Sequence, residues 1–308
     1  MSKPVLIVGS MALDDVRTPL GEVKDCLGGS ADYSSVAASF FSPVQIVGVV
    51  GDDFPKEHLE FLASRKIDLA GVQMVPGGKT FHWSGFYDFD LNIAHTVDTQ
   101  LGVFAEFEPS LPADFKEAEY VFLANIDPEL QLKVLDQIHK PKLVVADTMN
   151  YWISSKPEAL WKVLERVDIA FLNDAEARQL TGKMSTVQAG HEILRRGPKL
   201  GVILKKGEHG ALMFTKAGSQ FSAPSYPLEE IMDPTGAGDS FAGGFIGFVA
   251  SKDDLSPTVL RRAVVYGSVM ASFNVEDFSL NRMRTLTMDE ILERYREFQR
   301  ISHFDHPS

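Results

Sequence analysis

The sequence predicts an α/β protein in which helices cover both faces of a mainly parallel central sheet, and three observations lead to this class. Short apolar runs rich in valine, isoleucine and leucine recur along the 308 residues. Segments with helical spacing alternate with these runs, and the runs are apolar at consecutive positions. Strands of this kind are typical of a parallel sheet buried between two helical layers.

The predicted strands and helices follow one another in a regular order. "PVLIVGS" predicts the first strand, and "SADYSSVAASFF" predicts a helix whose small residues allow close packing. The strand "VQIVGVVGDD" then precedes a helix at 54–66. Further strands are predicted at 120–126, 142–148, 169–174, 200–207 and 210–215, with helices at 128–139, 157–167, 175–182 and 186–197. We expect these units to form one domain over residues 1–308.

Two segments that break this order predict a small lid. Residues 79–104 alternate aromatic and polar side chains without a helical pattern, which is typical of half-exposed antiparallel strands. Together with residues 13–27 they predict a small β-sheet that closes over the main body. An ordinary hairpin held by aromatic packing is the alternative. An exposed lid sheet would also offer a surface for a homodimer.

The composition indicates a cytoplasmic protein that binds neither nucleic acid nor membranes. The net charge is −12 and the pI is about 5.1, whereas nucleic-acid binding depends on Lys and Arg side chains that neutralise phosphates. No apolar run is long enough to span a bilayer. The single cysteine, Cys26, excludes an internal disulfide, and the histidines lack metal-ligand spacing. The terminal residues "HFDHPS" are expected to fray.

Residues 232–245, "MDPTGAGDSFAGGF", are the most informative stretch. Gly236, Ala237 and Gly238 allow successive backbone N–H groups to converge on an anion at the start of a helix. Such a nest stabilises the charge of a phosphoryl group during its transfer. Asp239 follows the nest, and its spacing leaves two roles open: a helix cap, or a base for an attacking hydroxyl.

Five motifs in the same order resemble those of the PfkB family, the ribokinase-like small-molecule kinases. They are "GSMALD" at 9–14, "GGSADYSSVAA" at 28–38, "NDAE" at 173–176, "KKGEHG" at 205–210 and "DPTGAGDSFAGGF" at 233–245. This resemblance spans nearly the whole chain. It implies a ribokinase-like three-layer sandwich with a small β-lid, ATP and Mg²⁺ as cofactors, and a small-molecule sugar or nucleoside substrate. Activation by a monovalent cation stays open.

The resemblance also implies a role for each matching residue. Asp239 becomes the catalytic base, and Gly236, Ala237 and Gly238 face the γ-phosphate. The residues implied on the substrate side are Asp14, Gly28, Gly29, Ser30 and Tyr33. Those implied on the nucleotide side are Asn173, Lys205, Gly207, Gly210 and, by a looser match, Asn274, with Glu176 holding Mg²⁺ through water. Asn125 follows a predicted strand, which favours either a place in the substrate pocket or a turn.

Three residues depart from the family pattern. Pro234 replaces a threonine, a change that suits the approach to a helix start. Tyr33 replaces an asparagine that contacts free sugar, so its phenol disfavours free ribose. Lys205 replaces a threonine that precedes the first glycine of the nucleotide loop, and the sequence leaves open whether it contacts a phosphate or points to solvent.

The predicted lid favours a nucleoside as substrate, with phosphorylation at its 5′-hydroxyl. Aromatic faces stack on nucleobases, and the segment carries Phe81, Trp83, Phe86, Tyr87 and Phe89. These rings could instead pack the lid or a dimer contact. The alternative function is a kinase of free sugars such as ribose, a ketohexose or a sugar acid. A third hypothesis is a non-catalytic nucleotide sensor, although such a protein has no need to retain Asp239.

Overall fold

The described part of the chain, residues 2–303 and 305, forms two sheets and eleven α-helices in the computed structural model. The strands are β1 (Val5–Val8), β2 (Ala12–Thr18), β3 (Gly21–Gly28), β4 (Val44–Gly51), β5 (Ile67–Val75), β6 (Phe81–Phe86), β7 (His95–Gln100), β8 (Tyr120–Leu123), β9 (Leu143–Ala146), β10 (Ile169–Asn173), β11 (Gly201–Lys205), β12 (Ala211–Thr215) and β13 (Gln220–Ala223). The helices are α1 (Ser30–Ser39), α2 (Lys56–Ser64), α3 (Pro128–Leu135), α4 (Asn150–Ser155), α5 (Pro157–Arg166), α6 (Asp174–Thr181), α7 (Thr186–Arg196), α8 (Ala237–Lys252), α9 (Pro257–Asn274), α10 (Asn281–Thr285) and α11 (Met288–Ile301). The predicted fraying at 303–308 falls mostly outside the described residues.

The large sheet has nine strands in the order β13-β12-β11-β10-β9-β8-β1-β4-β5. All neighbouring strands from β11 to β5 pair in parallel, and only β12 runs against them, pairing antiparallel with β11 and with the edge strand β13. The predicted mainly parallel sheet is therefore confirmed. Its strands end at a common edge, where the loops that lead into the helices lie together.

Helices cover the large sheet on both faces, and strand β1 shows how the sequence separates the two layers. Val5 and Ile7 belong to a buried cluster that includes side chains of α1, α8 and α9. Leu6 and Val8 point the other way, into a cluster that includes side chains of α3 and α5. Because neighbouring residues of a strand face opposite sides, only a strand that is apolar throughout satisfies both layers.

A second sheet of four strands, in the order β3-β2-β6-β7, lies next to the first. The predicted segments 13–27 and 79–104 supply its strands. Each segment forms an antiparallel hairpin, β2 with β3 and β6 with β7. The hairpins join through parallel pairing of β2 with β6, so the sheet is mixed, whereas the sequence predicted antiparallel strands.

Helix α8 lies at the centre of one helical layer. Every residue from Ser240 to Ala250 is buried, so the helix is enclosed on all sides and not along a single apolar face. A side chain at Gly243 would overlap the backbone of Ser34, which explains how α8 packs closely against α1. No helix in the described part of the chain is both long and apolar enough to span a bilayer.

The sequence reasoning missed several elements for identifiable reasons. Strand β5 lies at the sheet edge and is partly exposed, so it carries polar residues and lacks an apolar run. Helix α9 is buried along most of its length and shows little periodicity. Its start was nevertheless detectable, because Ser256 caps the helix and Pro257 occupies its first position. Strand β13 and helices α4, α10 and α11 are short or largely exposed and were not predicted either.

Candidate active site

The carboxyl ends of the central strands open onto a cavity of about 1050 Å³. Asn173 at the end of β10, Lys205 at the end of β11 and Gly238 in α8 contribute to its lining. Residues within the segments 87–94, 206–210, 225–241 and 268–275 also line it. Ligands of open α/β sheets bind at this edge, so the cavity lies where a nucleotide is expected.

Hydrogen bonds order the loop that precedes α8. Asp233 is fully buried, and its carboxylate accepts the backbone N–H groups of Thr235 at 2.8 Å and Ser279 at 3.0 Å. Gly236, with φ of 74°, occupies the cap position of α8. The N–H of Ala237 donates to the carbonyl of Pro234 at 3.2 Å, so it is engaged in the turn and not free for an anion in this conformation. The N–H groups of Gly238 and Asp239 lie in the first helical turn, where intrahelical acceptors are lacking.

Asn274 holds this loop in place through two hydrogen bonds. Its amide donates to the carbonyl of Thr235 at 2.7 Å and accepts the hydroxyl of Ser240 at 3.0 Å. The residue has no exposed surface, whereas its neighbours Ser272 and Val275 do line the cavity. The Asn274 amide is therefore already engaged by the loop, and the predicted contact with the nucleotide gains no support from this arrangement.

Asp239 lies in the first turn of α8, at the base of the site. Since Gly236 is the cap residue, the alternative of a capping role for Asp239 is wrong. Burial raises the pKa of Asp239 to about 7, the carboxylate of Asp147 adds to the rise, and the ammonium of Lys205 opposes it. A carboxyl group with such a pKa exchanges its proton near neutral pH, which a general base requires.

Asp14 lies on β2, and its carboxyl group interacts electrostatically with that of Asp239. Burial raises its pKa to about 8, and the carboxylates of Asp233 and Asp239 contribute. A Cβ on Gly28 would overlap the Asp14 carboxylate, so the glycine leaves the space that this side chain occupies. Steric overlap with Asp14 thus explains why position 28, the first of the "GG" pair, is a glycine in this chain.

Two tyrosines border this acidic region. Tyr33 is 1% exposed, its ring packs against Gly236, and its hydroxyl has no hydrogen-bond partner among the described residues. The hydroxyl of Tyr87 accepts that of Thr235 at 3.2 Å. The Tyr33 side chain is therefore buried within the site, against the loop that precedes α8.

Ser30 and Asn125 are held by internal contacts. The Ser30 hydroxyl accepts the N–H of Ser10 at 3.2 Å and lies 3.3 Å from the carbonyl oxygen of Asn125, to which it donates. The Asn125 side chain accepts the indole N–H of Trp152 at 3.0 Å. Gly29 caps α1 beside Ser10. These residues shape the junction of β1, β2 and α1. The Ser30 hydroxyl is engaged by these contacts, whereas the amide N–H groups of Asn125 stay available for a ligand.

Asn173 and Glu176 form a capping box at the start of α6. The Asn173 side chain accepts the N–H of Glu176 at 2.8 Å, and the Glu176 carboxylate accepts the N–H of Asn173 at 2.6 Å. Glu176 is 8% exposed, so its carboxylate is buried at the start of this helix. Burial raises the pKa of Glu176 to about 7, and the Lys205 ammonium opposes this rise.

The loop after β11 borders the cavity. Its residues Gly207 and Gly210 both have positive φ, and the N–H of Lys206 donates to the carbonyl of Gly210 at 2.8 Å. A Cβ on Gly207 would overlap the side chain of Asn92, which belongs to the turn between β6 and β7. The second sheet thus reaches the predicted nucleotide loop, a contact that no sequence signal indicated.

The predicted aromatic residues of the second sheet do not form one stacking surface. Phe81 stacks on Phe104 with ring centres 5.5 Å apart, and Phe86 stacks on His95 at 4.8 Å. The indole N–H of Trp83 donates to Thr96 at 3.2 Å. Packing within the sheet, the alternative stated above, accounts for these three, whereas Tyr87 and Phe89 line the cavity.

The comparisons agree with this geometry. The model of the pfkB family of carbohydrate kinases matches residues 12–285. A cytidine kinase of Thermococcus kodakarensis is 34% identical over 247 residues, which cover 79% of this chain and 87% of that protein. A nucleoside kinase of Methanocaldococcus jannaschii superposes with a TM-score of 0.76 at 23% identity, covering 96% and 98% of the two chains. A ribokinase of Giardia lamblia superposes with a TM-score of 0.80 at 19% identity, covering 97% and 100%. These matches confirm the predicted ribokinase-like fold, and the chain belongs to the pfkB family of carbohydrate kinases.

Proposed function

We propose that this protein transfers the γ-phosphoryl group of ATP to the 5′-hydroxyl of a nucleoside. The observation that carries the proposal is Asp239, a carboxyl group with a pKa of about 7 in the first turn of a buried helix, directly after Gly238, which lines the cavity. The similarity to proteins named cytidine kinase and nucleoside kinase supports the choice of substrate. Cytidine is therefore the first substrate to test.

Asp14 and Asp239 have different roles in the proposed reaction. Asp14 binds hydroxyl groups of the sugar, and Asp239 accepts the proton of the hydroxyl that reacts. The hydroxyl oxygen then bonds to the γ-phosphorus while the bond from that phosphorus to ADP breaks. The N–H groups of Gly238 and Asp239 and the positive end of the α8 dipole stabilise the charge on the phosphoryl group.

The end of β10 has the donor set that Mg²⁺ prefers. Asn173 and Glu176 offer oxygen ligands, and the capping box uses only one of the two Glu176 carboxylate oxygens. Glu176 would hold the ion through water. The bound ion supplies positive charge that neutralises the phosphate oxygens of ATP.

A panel of acceptors tests the proposed substrate class. We expect ADP formation with cytidine and other ribonucleosides, and none with ribose, fructose or a sugar acid. 5′-Deoxycytidine lacks the reacting hydroxyl and is the matched control, so it should bind without turnover. Turnover with free sugars alone would establish the alternative function, and no turnover with any acceptor would favour the sensor hypothesis.

The acid limb of the pH profile should report Asp239. The base acts in its ionised form, and its pKa is about 7, so kcat/KM should rise with pH through about 7 and then level off. The measurement is the initial rate at low acceptor concentration from pH 5.5 to 9. A profile that is flat between pH 6 and 8 would contradict the assignment of this base.

We further infer that the four-stranded sheet acts as a lid, because residues 87–94 at its tip line the cavity. A homodimer formed through this sheet and a cytoplasmic location are predictions from the sequence, and activation by a monovalent cation is a question that the sequence leaves open. Crosslinking and assays with and without K⁺ address the dimer and the cation.

A further inference from the structure

Lys205 points into the site and not into solvent. It is the last residue of β11, and its Nζ lies 2.5 Å from Oδ2 of Asp147, which follows β9. The Lys205 side chain is 17% exposed and that of Asp147 is 4% exposed. The second carboxylate oxygen of Asp147 accepts the N–H of Thr148 at 2.9 Å, so its orientation is held from two sides.

The same ammonium lies against the start of α8. A Cβ built on Gly238 would be 3.0 Å from Nζ of Lys205. Both residues line the cavity, and the first-turn N–H groups of α8 are in the same place. A cationic group and a helix N-terminus are therefore directed at one point in the cavity.

The surroundings of Lys205 need a positive charge if a phosphate is to bind there. Its charged neighbours in the described chain are the carboxylates of Asp147, Glu176 and Asp239. An ammonium carries three N–H donors, and the contact with Asp147 uses one of them. The other donors remain for an anion, and contacts between a charged donor and a phosphate oxygen are among the stronger hydrogen bonds.

We propose that Lys205 contacts the phosphoryl group that is transferred, and that Asp147 positions its ammonium. The proposal rests on the proposed function and deepens it, since the lysine adds a positive charge beside the start of α8. The phosphoryl group would then meet Lys205 and the helix N-terminus together. Lys205 acts as a catalytic residue and Asp147 as a positioning residue.

A series of nucleotides tests the contact independently of turnover. Calorimetric titration of the full chain in the presence of Mg²⁺ gives the Kd of adenylyl imidodiphosphate, ADP and AMP. For Lys205→Met we expect the Kd of the triphosphate analogue to rise at least about tenfold, while that of AMP changes less than about twofold.

The turnover of the same variant provides a second measurement. With cytidine as acceptor, the kcat of Lys205→Met should fall about a hundredfold or more, and Lys205→Arg should retain a higher kcat than Lys205→Met. In Asp147→Asn the lysine is present but loosely held, so kcat should fall by less than in Lys205→Met.

The controls separate this contact from effects on folding. Lys216→Met removes the same charge from an exposed site after β12, so it should leave all three affinities unchanged. The double variant Lys205→Met/Asp147→Asn leaves no unpaired buried carboxylate at position 147 and should match Lys205→Met in nucleotide affinity. Equal weakening of AMP and the triphosphate analogue, or no weakening of either, would overturn the proposal. If the wild type phosphorylates no nucleoside, the proposed function fails, and the nucleotide series still decides the role of Lys205.

Discussion

Asp239→Asn is expected to lower kcat at least about a hundredfold while the Kd of ATP stays within about threefold, the pattern for the loss of a general base. The amide has nearly the same shape as the carboxyl group, so the packing at the start of α8 is preserved. It cannot accept the proton of the substrate hydroxyl. Steady-state kinetics with cytidine and a calorimetric titration with ATP measure the two effects.

The stability of this variant provides an internal check. Because burial raises the pKa of Asp239 from an unfolded value near 4 to about 7, the folded state binds the proton more tightly. The corresponding stabilisation is present below about pH 4 and is lost as the pH rises through about 7. At pH 8 the Asn variant should therefore unfold at no lower temperature than the wild type. Asp289→Asn, an exposed change in the first turn of α11, is the matched control for activity. Near-normal turnover of Asp239→Asn would disprove the mechanism.

Gly236→Ala is expected to lower both activity and stability. Gly236 has φ of 74°, and a Cβ there would overlap the ring of the buried Tyr33. The left-handed backbone costs an alanine about 1–2 kcal/mol, and forcing atoms into a packed region costs about 1–3 kcal/mol more. Any shift of the loop moves the first-turn N–H groups, so kcat should fall about a hundredfold. Chemical denaturation and kinetics give the two values.

Gly77→Ala separates backbone strain from the steric overlap. Gly77 has φ of 72°, and a Cβ there would meet no atom within 4 Å. This control should lose only the backbone cost of about 1–2 kcal/mol and keep its activity. If both alanine variants lost the same stability and both kept full activity, packing of Tyr33 against Gly236 would have no role in the site.

Strands that are buried on both faces were predictable because burial leaves a local signature. β1, β8 and β9 are runs of consecutive apolar residues, and each lies inside the large sheet. Edge strand β5 carries no such signature, since solvent on one side permits polar residues. The parallel pairing of β2 with β6 depends on how distant segments meet, and local patterns contain no information about it.

The residues of the candidate site differ in the same way: some have a local sequence signature, and others have contacts that depend on the fold. The glycine-rich stretch predicted both the helix start and the place of Asp239, because each depends on neighbouring residues. The partner of a long side chain is a property of the fold, so the sequence left the direction of Lys205 open. For the same reason Asn274 was expected at the nucleotide, whereas its amide is occupied by Thr235 and Ser240.

The mixed second sheet has a consequence for how this chain folds. Its two hairpins are local and can form within microseconds. Their union through β2 and β6 brings together segments that are separated along the chain by α1, β4, α2 and β5. Closing so long a loop carries an entropic cost, which is smaller once the intervening elements have folded and shortened the effective loop. We therefore expect the sheet that borders the site to be completed late in folding, after the body beneath it has formed.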